Sequence, residues 1–368
     1  MRRLLFRTAA SLALLSLIAV TAFGGHKKKE EEPKPQVLPL PKELPRVLSV
    51  ETKNIAFRTT PLLKPGRLSA QIRETLGDLI KDRRGETIIK LRAFVAGAGD
   101  TRRVQEMVSD MFSDKKLPLP VLTIIQVGGL GEESGVVMEA IFDARKPVNP
   151  NGLAFIGGQS GTTFDSAVAA VNGKLQVAGL TASEVVRATC FTSQLTDYAG
   201  MNRTLASAFP QAALNIVQPL RDPVDARTTC EVVARIPEGV KPAVLPADSR
   251  VWFVNSPQLV FTGLQLSFGT YLADADSALS HLSHDVESQH AEMRNAISVN
   301  AFSLNPAAAS ALEKTISKFN LAPQTITIQP VEGLPSLDAA LGMEAVLEPS
   351  SSVAQSTTAS VTKARENL

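Results

Sequence analysis

The stretch Ala188–Pro210, ATCFTSQLTDYAGMNRTLASAFP, decides the fold, because it changes its hydrophobic period once, across a polar turn. ATCFT has the β-branched and aromatic content of a strand. SQLTD then offers Thr196 or Asp197 as a helix cap, and Tyr198, Met201, Leu205 and Phe209 recur at helical spacing. A stripe of that kind is the core-facing side of a helix rather than a cofactor box.

The same unit occurs twice more. An ungapped overlay on LRAFVAGAGDTRRVQEMVSDMF puts Phe191 on Phe94 and Phe209 on Phe112, with Asp100 or Thr101 as the cap and Val104, Met107 and Met111 as the stripe. A more diverged copy, NAISVNAFSLNPAAASALEKTISKF, has Asn305 before Pro306 as its cap and Ala309, Leu312, Ile316 and Phe319 as its stripe. Upstream of each unit lies a one-sided helix: LSAQIRETLGDLI, FDSAVAAVNGKLQVAGL and SALSHLSHDV. Downstream come two strands, with Gln126 and Glu139, Gln218 and Glu231, and Gln329 and Glu344 in equivalent places. Each copy is read as opening on a hairpin: KNIAFRTTP, NGLAFIGGQSG and PQLVFTGLQLS. Three copies of strand-strand-helix-strand-helix-strand-strand predict an α+β fold of three tandem domains, with helices on one face of a mostly antiparallel or mixed sheet.

Outside the repeats, MRRLLFR followed by TAASLALLSLIAVTAF reads as a secretory signal peptide over residues 1–22, with cleavage after Ala22. Residues 23–46 are charged and proline-rich, the composition of an exposed spacer, and residues 349–368 form a polar, disordered tail. The domains are expected at residues 47–146, 150–240 and 247–348. Removing Arg2, Arg3 and Arg7 with the leader brings 38 basic residues to 35 against 36 acidic ones. A nearly neutral chain argues against nucleic acid as a partner. The expectation is an exported protein, periplasmic or extracellular, without stable membrane insertion once the leader is removed.

NGLAFIGGQSG, the strand-turn-helix from Ala188 to Phe209 and the closing CEVVAR together resemble the RidA family, also called YjgF/YER057c, and the flanking copies resemble diverged members. The resemblance implies a chorismate-mutase-like fold, a trimeric arrangement with ligand clefts between neighbouring units, and hydrolysis of enamines or imines to keto acids and ammonia. Part of the family carries an endoribonuclease label. In the deaminases an arginine holds the substrate carboxylate; the matching positions here are Leu122, Leu214 and Thr325. A glutamate that positions water is matched by Val137, Thr229 and Gly342. Glu139, Glu231 and Glu344 lie two residues further along, on the same strand face. Three copies in one chain suggest a monomer that closes as an intramolecular pseudotrimer.

The resemblance also singles out Asn202, with Gln105 and Leu312 in its place in the other copies. With Gln159 in the GGQSG turn, Arg227 and Glu231 as a facing pair, and Glu139, it completes the candidate ligand-binding set; Glu231 and Asn202 are the residues catalysis would use. Loss of the arginine in every copy favours a non-catalytic small-molecule-binding or scaffolding protein without a cofactor. The alternative is a deaminase-like hydrolase with altered substrate at the clefts bordered by the middle copy.

Cys190 and Cys230, both in strands, are read as buried thiols in preference to a disulfide, although an exported protein would permit the bridge. His281, His284, Asp285 and His290 lack a further ligand at a convincing spacing, so they read as a solvated helix face rather than a metal site. GAGDTRR and GGLGEESG lack the strand-to-helix context of a phosphate loop and read as turns.

Overall fold

The computed structural model describes residues 42–350, apart from 98–100, 224, 241–244, 247–248, 255, 269–270 and 323–325. The expected leader, most of the spacer and nearly all of the tail lie outside the described residues, as do Asp100 and Thr325. No helix among the described residues is long and apolar enough to cross a membrane.

The first third of the fold runs β1 (Val47–Glu51), β2 (Ile55–Thr59), α1 (Leu68–Asp82), β3 (Thr87–Ala96), α2 (Arg102–Asp114), β4 (Val121–Val127), β5 (Gly129–Leu130) and β6 (Val136–Asp143). The middle runs β7 (Leu153–Gly161), α3 (Phe164–Val177), β8 (Val185–Thr192), α4 (Tyr198–Ala208), β9 (Ala213–Gln218) and β10 (Thr228–Arg235). The last runs β11 (Val251–Val254), β12 (Gln258–Thr262), β13 (Gln265–Ser267), α5 (Tyr271–Glu287), β14 (Ala291–Ser303), α6 (Pro306–Thr315), β15 (Ile326–Pro330) and β16 (Leu341–Pro349).

These strands form three mixed sheets, ordered β2-β6-β3-β4, β11-β7-β10-β8-β9-β5 and β1-β12-β16-β14-β15, with β13 also on β16. The pairs β3/β4, β8/β9 and β14/β15 are parallel, since a helix carries the chain back between them; the other neighbours run antiparallel. The helices start where the sequence places their caps. Asp197 accepts from the Gly200 amide and Asn305 from the Ala308 amide, each at 2.9 Å, while Thr101 makes no side-chain cap bond.

The opening segments are not self-paired hairpins. β1 leaves β2 and adds to β12 in the last sheet, whereas β11 adds to β7 in the middle sheet. GGQSG is likewise not a turn but the end of β7, where Gly157 and Gly158 bulge opposite Glu231. A Cβ on Gly158 would come within 2.7 Å of the Thr229 methyl and 3.0 Å of the Thr327 methyl, so the missing side chain lets two sheets approach.

Each sheet buries one face under its two helices. Ile72, Leu76, Val104 and Phe112 fill the first core, Val168, Val171, Leu205 and Phe209 the second, and Leu279, Leu282, Leu312 and Ile316 the third. The opposite faces meet one another in two shared apolar clusters. One gathers Ile89, Phe155 and Phe261, and the other Phe94, Phe191 and Phe302. The rings of Phe94 and Phe191 meet edge to face, with centroids 6.0 Å apart.

Corresponding positions can be followed through the strand register of the three sheets. Phe94, Phe191 and Phe302 stand opposite Val137, Thr229 and Gly342, and Arg92, Thr189 and Asn300 stand opposite Glu139, Glu231 and Glu344. Two equivalences change. Gln126 pairs with Val95 and Gln218 falls one residue beyond Val217, the partner of Phe191, but Gln329 pairs with Phe302 itself, one step earlier. The third counterpart of Leu122 and Leu214 is Ile326, opposite Val299, rather than Thr325.

Cys190 and Cys230 are not thiols. They are directly opposed residues of β8 and β10 with Cα atoms 4.1 Å apart, and they form a disulfide. That spacing is typical of a non-hydrogen-bonded antiparallel pair, where side chains come closest. Asp285 also departs from expectation. It is buried, accepts from Gln265 Nε2 and lies 3.7 Å from Arg46, while His281 and His284 remain on the exposed side of α5.

Candidate functional site

Two places collect the polar side chains that face inward. The first is a buried layer of charge between the shared apolar clusters, since Ile89, Arg92 and Phe94 succeed one another along β3. Arg92 Nη1 lies 3.1 Å from Glu231 and 3.3 Å from Glu139, and its Nη2 bonds Glu344. One guanidinium therefore meets the equivalent carboxylate of all three sheets. Arg187 pairs with Glu231 and lies 3.3 Å from Glu139, and Lys90 lies 2.7 Å from Glu344 while donating to the Thr262 carbonyl. Thr189 and Asn215 donate to Glu139 at 2.7 and 2.8 Å, and Thr123 donates to Glu344. Asn300, its amide turned to suit both neighbours, donates to Glu231 at 3.1 Å and accepts from Arg92 at 2.7 Å.

Burial raises the cost of every charge here, and the outcome depends on the partners. Desolvation opposes ionisation of Glu139 and Glu344, but Arg187 and Arg92 for the first, and Arg92 and Lys90 for the second, hold both below the usual carboxylate range. Desolvation also opposes the charge on Arg92, yet Glu344, Glu139 and Glu231 hold it more firmly protonated than usual. For Lys90 desolvation wins and its pKa is lowered. Carboxylates held this way are poor proton acceptors.

The second place is a cavity of about 1100 Å³ between the middle and last sheets. From the middle sheet and the loop before β10 come Gly158, Gln159 and Ser160 at the end of β7, Phe191 and Thr192 of β8, Pro219, Leu220, Pro223, Asp225, Arg227, and Thr229. From the other side come Ala309, Leu312 and Ile316 on the α6 side, and Ile326 to Pro330 of β15. Ser160 and Thr229 share a hydrogen bond at 2.9 Å, and Arg227 donates to Ser160 at 3.2 Å. The ionisable residues of the lining, Lys174, Asp225, Arg227, Arg250 and Glu313, are all partly or fully exposed, so the buried wall carries only hydroxyls, amides and apolar groups.

Between the first and middle sheets, the segment after β4 lies close to α4 and the loop before it. Gly131 packs against α4, where a Cβ would come within 2.4 Å of the Tyr198 ring, and Gly129 approaches Leu195.

The structure thus separates the sequence-derived candidates. Glu139 and Glu231 meet in the buried charge layer, Gln159 and Arg227 line the cavity, and Asn202 lies exposed on α4 outside the cavity lining. Arg227 and Glu231 share a strand face but do not pair. Thr229 stands between them, Arg227 turns to Ser160, and Glu231 is taken by Arg92 and Arg187. Sequence reasoning missed Lys90, Arg92, Arg187 and Asn300. Lys90 and Arg92, two apart in the apolar strand TIIKLRAFVA, were the available signal, since two cations on one face of such a strand need buried partners.

No family model matches the chain, and no curated protein matches it. Solved structures of the YjgF/RidA family are similar to parts of it. Yeast YEO7 is 19% identical over 26% of this chain and 82% of that one, with a TM-score of 0.24. Rv2704 of Mycobacterium tuberculosis, a member of the YjgF/YER057c/UK114 family, is 13% identical over 24% of this chain and 78% of its own, with a TM-score of 0.23. E. coli TdcF with bound serine is 17% identical over 31% of this chain and 93% of its own, also at 0.23. Similarity of this extent carries no argument about chemistry.

Proposed function

We propose that this is an exported protein of three tandem RidA-like domains, closed as an intramolecular pseudotrimer, that binds a small molecule in the cleft between its middle and last copies without turning it over. The reading is carried by where the carboxylates are. Glu139, Glu231 and Glu344 are all committed to one buried ion network, and among the described residues the buried wall of the cavity holds no ionisable group. A hydrolase of the deaminase type needs a proton acceptor within reach of a water at the substrate. Thr229 and the bulged β7 supply none, and the carboxylates of the lining, Asp225 and Glu313, are exposed to solvent. Export rests on the leader-like residues 1–22.

The test is direct. Purified protein lacking residues 1–22 is expected not to accelerate hydrolysis of 2-aminoacrylate-type imines, and to be raised in melting temperature by members of a metabolite panel. A rate within about tenfold of an active family deaminase, lost in a folded Glu231→Gln or Asn202→Ala variant, would overturn binding in favour of an altered hydrolase.

A further inference from the structure

Gln329 is 6% exposed and lines the cavity, yet its side-chain amide has no hydrogen-bond partner among the described residues. Its nitrogen and oxygen are not closed off inside the protein but open to the cavity, where a ligand can reach them. Its neighbours already have partners: Thr327 accepts from the Gly158 amide at 3.3 Å, and Gln159 Nε2 donates to the Gly157 carbonyl at 2.8 Å. A primary amide offers a donor and an acceptor side by side, which a carboxamide or lactam satisfies reciprocally and a carboxylate satisfies only by half. The charge distribution agrees. Among the described residues the cations of the lining, Lys174, Arg227 and Arg250, are partly or fully exposed and none is buried, so an anion that moved inward past them would lose hydration without a buried cation to meet it, whereas a neutral polar group would not meet that penalty. Leu312, Ile316 and Ile328 add apolar surface to the cavity lining.

Resting on the cleft-binding reading above, we propose that the cavity is specific for neutral, amide-bearing small molecules, with Gln329 as the residue that recognises the amide. This sets the site apart from one built to grip a carboxylate.

Matched probes test it on the unaltered protein: nicotinamide against nicotinate, and benzamide against benzoate, by saturation-transfer NMR with competition titrations at fixed ionic strength. The amides are expected to bind at least about tenfold more tightly than their acids, and Gln329→Leu to weaken the amides by about tenfold and the acids by clearly less, since only the amides use both sides of the Gln329 group. Acids binding as well as amides, or amide binding indifferent to Gln329→Leu, would overturn the specificity. If Gln329→Leu does not fold, the amide-to-acid ratio on the unaltered protein decides alone. Ala309→Trp, which intrudes on the cavity, separates the two readings: loss of both probe classes keeps the cleft as the site whichever class wins. Binding that survives Ala309→Trp, or no binding of either class, removes the cleft reading and the specificity with it.

Discussion

Arg92 of the first sheet reaches Glu231 of the middle sheet at 3.1 Å, across a boundary between two sheets, and both side chains are more than nine-tenths buried. The contact links the two halves of the structural account: the layer that joins the sheets is also the layer that withdraws the carboxylates from chemistry.

Removing the guanidinium should therefore be severe. Arg92→Ala leaves Glu139, Glu231 and Glu344 facing one another with two cations in place of three, and is expected to lower stability by roughly 3–5 kcal/mol, the range for breaking a buried ion pair. Urea denaturation followed by circular dichroism measures it. A change under about 1 kcal/mol, the size of a surface pair, would mean the layer is wetter than its burial indicates.

The same layer sets an acid limit. Glu139 and Glu344 have folded-state pKa values below the unfolded value of about 4.3, so at acidic pH the unfolded chain binds more protons than the folded one. Their contribution is complete above that value and is lost as pH falls through their folded-state values. Melting temperature is expected to hold from pH 7 to about 5 and to drop steeply below about 4. Glu344→Gln should flatten the drop, which differential scanning calorimetry across that range would record.

The disulfide gives a redox prediction. Cys190 and Cys230 are 40 residues apart in sequence, and a closed loop of that length restrains the unfolded chain by roughly 2–4 kcal/mol. Unfolding with and without dithiothreitol should differ by that amount. A Cys190→Ala, Cys230→Ala double variant should match the reduced protein and be indifferent to reductant.

Quaternary structure tests the pseudotrimer. With the helix-free faces already covered by one another, one chain should satisfy the closure that separate subunits would otherwise provide. Light scattering is expected to give one chain per particle. A stable particle of three chains would contradict it.

Much of the architecture was legible from one stretch. The overlay of Phe191 on Phe94 recovers the register found in the sheets, and the caps at Asp197 and Asn305 form the bonds their residue types allow. Partner choice was not legible. β1 and β11 lie outside the stretches read as opening hairpins, and no local pattern says which sheet edge they join; β1 adds to the last sheet and β11 to the middle one. Glu139, Glu231 and Glu344 were recognisable as equivalents on one face; their meeting on Arg92 depends on how three sheets face each other, which no local pattern encodes. Residue spacing matches Gln329 with Gln126 and Gln218, but pairing with Phe302 sets it one step earlier, a shift that appears only once β14 and β15 are seen side by side.

Arg92, which reaches all three like acids, also bears on how such a chain can change. The corresponding positions of the other two sheets hold Thr189 and Asn300, so one guanidinium and not three is supplied from that place in the register. Once a single copy held that position, copying its sequence over its sisters would crowd the spot, and copying theirs over it would empty the spot. The repeats are thereby kept different: each may drift on its surface, but none can replace another.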